Sequence, residues 1–326
     1  MNVIRGISPI LAVIAAVLLQ SPALAQAYPN KPVRFIVPFA AGGASDIIAR
    51  IIQPKLGEGL GQSVMIDNRG GAAGIIGTAL AAKAEPDGHT IVVVPASHSV
   101  NASLYARLPY DSAKDFAPVI MLDLGPQLLA VHPSLPAKSV DGLIRLAKSR
   151  PDSLHYSSGG VGAGGHLSAE LFKSMTGVDL VHVPYKGVGP ALVDLIAGYT
   201  QLVFSPLLPV IPHVKNGKLR ALAVTSTKRL PEMRDVPAVA ETVRGYEAIA
   251  WHGVLAPART PPAAVQRLNT EINRVLNLSE VRRSLSAQGL QAVGGTPEYF
   301  SNYIQQDITK FAGIIRKLGL QADQAP

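Results

Sequence analysis

Twice along this chain, an apolar strand leads into a glycine-rich loop from which an amphipathic helix starts. The first copy has its strand at 33–39 and its loop at 40–45, and the second has its strand at 154–158 and its loop at 159–165. Glycine lets backbone N–H groups approach a ligand closely, and a helix N-terminus carries partial positive charge. Each loop is therefore typical of an anion-binding site, and two facing loops would hold one small anion between them.

The order of elements after each loop repeats as well. Gly42 and Gly70 are 28 residues apart, and so are Gly159 and Gly187. Strands that alternate with helices of this length predict mainly parallel sheets with right-handed crossovers, whose ligands lie beyond the carboxyl ends of the strands. We expect an α/β fold of two lobes joined by two linkers, with the ligand in the cleft between the lobes.

The expected lobes divide the chain into three stretches. Residues 28–125 and 251–326 form the first lobe, and residues 126–250 form the second. The length of 326 residues suits two α/β domains of ordinary size.

Three further expectations concern helices. The first helix should span about 46–60 with a kink at Pro54, and the helix after the second loop should begin near His166. The C-terminal stretch is expected to form two separate helices, over 296–302 and 303–318.

Composition and charge exclude several classes of function. The chain has no cysteine, which rules out disulfides, thiolate nucleophiles and cysteine-ligated metal sites. The formal net charge is +8, but no run of Lys and Arg reaches three residues and aromatic residues make up only 5%. Nucleic-acid binding usually needs basic stripes interleaved with stacking rings, so we expect no nucleic-acid partner. A net positive charge suits a small anionic solute.

The N-terminus is typical of a secretory signal peptide. An almost wholly apolar stretch at 7–19 is followed by small-residue cleavage patterns that end at Ala25 and at Ala27. We expect residues 1–25 to be removed, or residues 1–27 if cleavage occurs after Ala27 instead. The mature protein is then expected to be soluble in the periplasm. The alternative is an uncleaved membrane anchor.

Several residues near the loops are candidate ligand contacts. Asp46 and His166 lie at the two helix starts, Ser97 follows a third strand, and Lys186 is the one cation in a rim loop. Each has a structural alternative: Asp46 braces the loop, His166 hydrogen-bonds the loop, and Ser97 and Lys186 are ordinary loop and solvent-facing residues. The complete candidate set is Phe39, Ala40, Ala41, Gly42, Asp46, Ser97, Ser157, Ser158, Gly159, Gly160, His166, Pro184, Tyr185 and Lys186.

Enzyme alternatives find weaker support in the sequence. Gly160-x-Gly162-x-x-Gly165 matches the dinucleotide fingerprint, but Asp179 opens the following strand, whereas the fingerprint needs its acidic residue at the end of that strand. No G-x-S-x-G elbow and no paired-histidine metal motif occur, so we expect no cofactor and no metal. The remaining alternative is a secreted α/β hydrolase-type enzyme acting on a small anionic substrate.

Motifs along the whole mature chain resemble those of the Bug proteins, the extracytoplasmic solute receptors of tripartite tricarboxylate transporters. The resemblance rests on the opening Tyr28-Pro29-x-Lys31-Pro32 and on the continuation from Val33 through Gly43 to Asp46. It rests also on Pro86-Asp87-Gly88, on His182-Val183-Pro184-Tyr185-Lys186-Gly187 and on Trp251-x-Gly253.

The resemblance implies a type II-like periplasmic-binding fold and a receptor for a small carboxylate-type solute. It further implies that backbone amides and waters near the first glycine loop hold a ligand carboxylate. The positions of this chain that match the family's ligand-contact motifs are Ala40, Ala41, Gly42 and Asp46, and, from the other lobe, Ser157, Gly159, Gly160, Pro184, Tyr185 and Lys186. The expected partner is a membrane permease or a membrane sensor, and the protein is expected to be a monomer.

Overall fold

The structure, a computed structural model, describes residues 28–287 and 289–319. The signal peptide expected at 1–25, with both of its cleavage patterns, lies outside the described residues. No helix in the described ranges is both long enough and apolar enough to cross a bilayer.

The first part of the chain alternates strands and helices as predicted. Its elements are β1 (Val33–Val37), α1 (Ala44–Leu60), β2 (Val64–Asn68), a 3-10 turn (Ala72–Gly74), α2 (Ile75–Ala82), β3 (Thr90–Pro95) and α3 (Ser97–Leu104). β1 pairs in parallel with β2 on one side and with β3 on the other. Helix α3, which opens directly at the end of β3, is an element that the sequence did not indicate.

The second part repeats this arrangement after a long strand. Its elements are β4 (Phe116–Val131), α4 (Val140–Ser149), β5 (His155–Ser158), α5 (Gly164–Thr176), β6 (Val181–Pro184), α6 (Val188–Ile196), β7 (Leu202–Pro206), α7 (Leu207–Lys215) and β8 (Arg220–Val224). β5 pairs in parallel with β6 and with β7. The parallel pairings predicted for both glycine-loop units are therefore present.

The chain then returns to the first part. Its last elements are β9 (Ile249–Pro257), α8 (Pro262–Leu276), α9 (Ser279–Ser286), β10 (Gln291–Gly294) and α10 (Pro297–Leu318). α10 is one continuous helix, so the two separate helices expected at 296–302 and 303–318 are wrong. Tertiary contacts hold the helix together across the expected break, since Phe300 and Ile304 are buried and Asp307 accepts a hydrogen bond from the Trp251 indole.

Two long antiparallel strands join the parts. The strand order is β2-β1-β3-β9-β4-β7-β5-β6, with β8 and β10 also paired to β4. The start of β4 pairs with β9 and β10, and its end pairs with β7 and β8. Gly125 faces Ala250 in the β4–β9 register, close to both expected linkers. The lobe boundaries at these positions stay a prediction.

Each part buries its own apolar core. One core packs α1 and α8 on the first part of the sheet, with Ile48, Ile52 and Leu56 fully buried along α1. These contacts span Pro54, and α1 continues through that proline to Leu60, because burial of the apolar face offsets one missing backbone hydrogen bond. A second core surrounds β5 and α5, with Tyr156 and Phe172 at its centre.

Candidate ligand-binding cleft

A cleft opens at the carboxyl ends of β1, β3, β5, β6 and β7, where residues from both parts of the chain face one another. The start of α1 contributes Gly43, Ala44 and Ser45 to its wall. The start of α5 contributes Ala163, Gly164 and Gly165. The two glycine-rich loops therefore meet at one site, as the repeated pattern predicts.

Three further helices begin at the same cleft. Ser97 opens α3, Val188 opens α6, and Pro206 immediately precedes α7, and all three residues line the wall. None of the five helices that start here has a side-chain hydrogen bond capping its N-terminus. By contrast, α4 and α10 start away from the cleft with the caps Ser139 and Thr296. The helices α8 and α9 also start without a side-chain cap. What distinguishes this site is therefore that five uncapped helix N-termini meet at one cleft.

The first amides of α1 and α5 are available to a ligand. Within the described residues, no acceptor lies within hydrogen-bond distance of the N–H groups of Ala44 and Ser45 in α1, or of Gly164 and Gly165 in α5. Unpaired amides at a helix start, together with the helix dipole, form a favourable site for an anion.

Among the residues that the structure describes, no charged side chain lines the cleft. Its polar side chains are Ser45, Ser97, Gln127 and His252, and the rest of the wall is backbone, small residues and apolar side chains. The charge of a bound anion would therefore be met by backbone amides and helix dipoles.

Three of the predicted contact residues line the cleft directly: Phe39, Ser97 and Gly159. Ala40, Ala41 and Gly42 are exposed and lie in the turn that leads to Gly43. Gly42 has a φ of 81°, a left-handed conformation that glycine adopts without strain. The backbone of this turn thus positions the start of α1.

Asp46 acts as a brace for the first loop. Its Oδ2 accepts hydrogen bonds from the Gly42 amide at 2.9 Å and from Arg50 Nε at 3.0 Å, and its Oδ1 accepts one from Asn68 Nδ2 at 3.0 Å. Burial acts to raise the pKa of Asp46, but the hydrogen bonds from Arg50, Gly42 and Asn68 outweigh it and lower the pKa. This arrangement matches the bracing role weighed for Asp46, and a direct contact with ligand stays a prediction.

His166 is likewise engaged within its own loop. Its Nδ1 accepts a hydrogen bond from the Gly162 amide at 3.2 Å, and its ring stacks on His182 with centroids 4.3 Å apart. Ser158 Oγ lies 2.6 Å from His182 Nε2. It accepts a hydrogen bond from the Gly160 amide at 3.1 Å and lies 3.1 Å from the Gly160 carbonyl oxygen, to which its hydroxyl can donate. Burial, followed by the nearby His166 and Lys173, lowers the pKa of His182 to about 3, and burial also lowers the pKa of His166. Both imidazoles are therefore neutral near pH 7.

The remaining candidates lie beside the cleft. Ser157 is fully buried, and its Oγ has no partner among the described residues. Tyr185 donates its hydroxyl to Asp194 Oδ2 at 2.6 Å, while Pro184 and Lys186 are exposed. None of these residues belongs to the cleft wall, and their roles as ligand contacts stay predictions.

Two lining residues were missed by the sequence reasoning. Gln127 lies near the end of β4, and His252 lies on β9 with its Nδ1 3.0 Å from Asp123 Oδ1. Their signal in the sequence is a polar residue inside a strongly apolar strand. Gln127 is one of two in Phe116–Val131, with Asp123, and His252 lies in Ile249–Pro257. Within the described residues, no three His, Asp or Glu side chains come close enough together to hold a metal ion.

Comparison with known proteins places the chain in a family. A sequence model of the tripartite tricarboxylate transporter family receptor matches residues 48–320. Protein BugT of Bordetella pertussis is 37% identical over 324 residues, which cover 98% of this chain and 99% of BugT.

Solved structures agree with this assignment. R. palustris Rpa4515 with adipate superposes with a TM-score of 0.88 at 39% identity, over 91% of this chain and 99% of that one. MatC from Rhodopseudomonas palustris with bound malate gives a TM-score of 0.84 at 31% identity, over 88% of this chain and 100% of MatC. The periplasmic binding protein BugD gives a TM-score of 0.87 at 31% identity, over 91% of this chain and 100% of BugD. The expected two-lobed periplasmic-binding fold is confirmed, and this chain belongs to the family of tripartite tricarboxylate transporter receptors.

Proposed function

We propose that this protein is a periplasmic receptor that binds a small carboxylate-type organic anion in the cleft and releases it unchanged. The observation that carries the proposal is the convergence of five uncapped helix N-termini on a cleft without charged side chains. A carboxylate supplies the acceptors that these amides lack, and its negative charge is stabilised by the helix dipoles.

The energetics of such a site are adequate for a receptor. A hydrogen bond to a charged group contributes roughly 1.5–3 kcal/mol, and a helix N-terminus roughly 0.3–2 kcal/mol. Four or five such bonds offset the cost of association and leave about 8 kcal/mol, which corresponds to a micromolar dissociation constant. No arginine is needed in the wall for this affinity.

The relatives support the class of ligand. Rpa4515 was solved with adipate and MatC with malate, which are both small organic acids. On this chain, the carboxylate would lie between the starts of α1 and α5. The first loop, at 39–42, and the second, at 157–160, would close over it with the segment 184–186.

The family and the N-terminal sequence support a cellular setting for this receptor. Residues 1–25 direct export as a signal peptide, and the mature receptor works in the periplasm as a monomer. It passes its ligand to a membrane permease of the tripartite tricarboxylate type, or signals to a membrane sensor. The two lobes, 28–125 with 251–326 and 126–250, close on the ligand around the strands that link them.

Calorimetry on the mature protein tests the proposal. A panel of small mono-, di- and hydroxycarboxylic acids should include acids that bind at micromolar concentration, while their uncharged amides bind at least tenfold more weakly. Acid recovered after incubation should be unchanged. If no acid binds or raises the melting temperature, the receptor assignment is wrong, and turnover of a bound acid would favour the hydrolase alternative.

A further inference from the structure

The two glycine-rich loops are braced by the same geometry. In the first loop the Gly42 amide donates to Asp46 Oδ2 at 2.9 Å, and in the second the Gly162 amide donates to His166 Nδ1 at 3.2 Å. Gly42 and Gly162 have nearly equal φ angles, 81° and 80°, in the left-handed region that favours glycine. His166 is therefore the counterpart of Asp46 in the second loop.

The two braces differ in charge. The carboxylate of Asp46 is balanced by Arg50, which follows it by four residues in α1 and brings its Nε to 3.0 Å. The residue at the equivalent position after His166 is Glu170, which has the opposite charge to Arg50. A carboxylate in place of His166 would add a second negative charge near Glu170 and at the start of α5, where the ligand charge is expected. A neutral acceptor avoids both effects.

His182, on the neighbouring strand β6, holds the middle of the second loop. Its Nε2 lies 2.6 Å from Ser158 Oγ, which accepts from the Gly160 amide at 3.1 Å. The Gly160 carbonyl already accepts from the Ala163 amide at 3.1 Å, so we assign the Ser158 hydroxyl proton to the shorter contact with His182. The His182 ring also stacks on His166, with centroids 4.3 Å apart. The two histidines thus form one support beneath the loop.

This support requires both rings to be neutral. Each ring accepts a hydrogen bond through one nitrogen, and a protonated imidazole has no free acceptor. Burial is the main cause that lowers the pKa of both rings; Lys173 acts in the same direction, and Glu170 opposes it for His166. Tyr156 stacks on both rings and donates its hydroxyl to Glu170 at 2.7 Å.

The supported loop leads directly into the proposed binding site. Gly159 and Gly164 line the cleft, whereas His166 and His182 touch the loop and are not part of the cleft wall in the described part of the chain. Glycine-rich backbone loses much conformational entropy when it is fixed, so a loop that is already held before binding gives tighter binding. The two histidines can therefore act on a ligand through the loop.

We propose that His166 and His182 are positioning residues: as neutral rings they fix the second glycine-rich loop and hold the first amides of α5 where a ligand carboxylate binds. This inference rests on the proposed function, which places the carboxylate at those amides. It gives the histidine pair the task that Asp46 has in the first loop, without adding a negative charge.

Variants of His166 test the brace by calorimetry and thermal melting of the mature protein, with adipate and malate as probes. His166→Phe keeps a ring but loses the acceptor, and it should weaken binding at least tenfold. His166→Asn keeps a neutral acceptor and should recover at least fivefold of that affinity. His166→Asp keeps an acceptor but adds charge, so it should bind at least fivefold more weakly than His166→Asn. A merely structural role would instead make affinity follow the melting temperature.

A double-mutant cycle tests the link through Ser158. His182→Phe and Ser158→Ala should each weaken binding at least threefold, and the double variant should lose no more than the worse of the two, because both changes remove the same contact. His89→Phe is the matched control. His89 is also buried and accepts a backbone amide, from Asn30 at 3.4 Å, but it lies at the amino end of β3, away from the cleft. This control should lower the melting temperature and leave affinity unchanged.

The outcomes separate this inference from the proposed function. If wild type binds a probe and His166→Phe binds it within twofold of wild type, the inference is wrong while the function stands. The same holds if His166→Asn is as weak as His166→Phe, or if the losses at His182 and Ser158 add. If His166→Phe does not fold, equal affinities of His166→Asn and His166→Asp would overturn the inference. Failure of wild type to bind adipate, malate or any other acid of the panel would overturn the proposed function and the inference with it.

Discussion

At the scale of single residues, the start of α5 offers the sharpest test of how the anion is held. Ala163 is the N-cap, it has extended backbone angles of −64° and 152°, and it provides no side-chain cap. Aspartate at such a position accepts a hydrogen bond from the helix amides and stabilises the helix. The same carboxylate would occupy the amides that we assign to the ligand and would repel a second anion.

Ala163→Asp should therefore raise the free energy of unfolding by about 1 kcal/mol and weaken carboxylate binding at least tenfold. Urea unfolding and calorimetry measure the two effects. Ala163→Asn is the control, since it caps the helix without a charge and should cost less affinity. Unchanged affinity in Ala163→Asp would show that the ligand does not use the start of α5.

Gly165 tests the placement of the same helix by steric contact. A Cβ at Gly165 would overlap the carbonyl oxygen of Phe204, so Gly165→Ala must move α5 away from β7. We expect a loss of about 2 kcal/mol in the free energy of unfolding and weaker ligand binding. Gly177→Ala, at the other end of α5 with open space around it, should leave affinity unchanged in the same titration.

At the scale of elements, Asp46 joins the first loop to α1 and β2. Removing its carboxylate in Asp46→Ala leaves the Gly42 amide, Arg50 and Asn68 without their shared acceptor. We expect the free energy of unfolding to fall by about 2 kcal/mol and ligand affinity to fall with it, because the loop no longer fixes the start of α1.

The control for Asp46 is another acidic residue with a similar set of partners. Asp87 pairs with Lys31 and accepts from the His89 amide, in a turn before β3. Asp87→Ala should lower stability but keep calorimetric affinity at the wild-type value. Equal losses of affinity in both variants would argue against a specific role for the Asp46 brace.

The elements that sequence reasoning found and missed differ in a physical way. The glycine-loop units were predictable because their helices, strands and turn glycines agree locally, as at Gly42 and at the start of α5. The continuity of α10 was not, because it depends on burial of Phe300 and on the Trp251–Asp307 contact, which are distant in sequence. Tertiary packing overrides local signals there.

The same division applies to the site. The backbone segments that line the cleft follow from glycine patterns and could be located in the sequence at the starts of α1 and α5, near Gly43 and Gly164. Gln127 and His252 could not, since each appears in the sequence as a polar residue within a mostly apolar strand, and only the β4–β9 pairing places Asp123 beside His252.

At the scale of the whole molecule, buried neutral histidines make stability depend on pH. Burial lowers the pKa of His98 to about 4, against the opposing Ser112 hydrogen bond, and the pKa of His182 is lowered to about 3. In the unfolded chain these rings titrate near 6.5. Between pH 6.5 and about 4, the unfolded state therefore binds more protons than the folded state, and stability falls as pH falls.

Each of the two histidines should contribute a slope approaching 1.4 kcal/mol per pH unit within that window. Urea unfolding at pH 7.5, 6.5, 5.75 and 5.0 measures this slope of the free energy of unfolding against pH. These pH values lie above the range in which ordinary carboxylates titrate. The double variant His98→Gln with His182→Gln should flatten the profile. A wild-type profile that is flat from 7.5 to 5.0 would contradict the burial of neutral rings.

The central claim is that helix starts from both parts of the chain hold one ligand carboxylate. A crystal structure of the mature protein with a bound acid tests it most directly. The account predicts carboxylate oxygens within about 2.7–3.2 Å of amides at the starts of α1 and α5, near Ala44 and Gly164, or joined to them through one water. A carboxylate paired instead with a lysine or arginine side chain, or bound away from both helix starts, would contradict it.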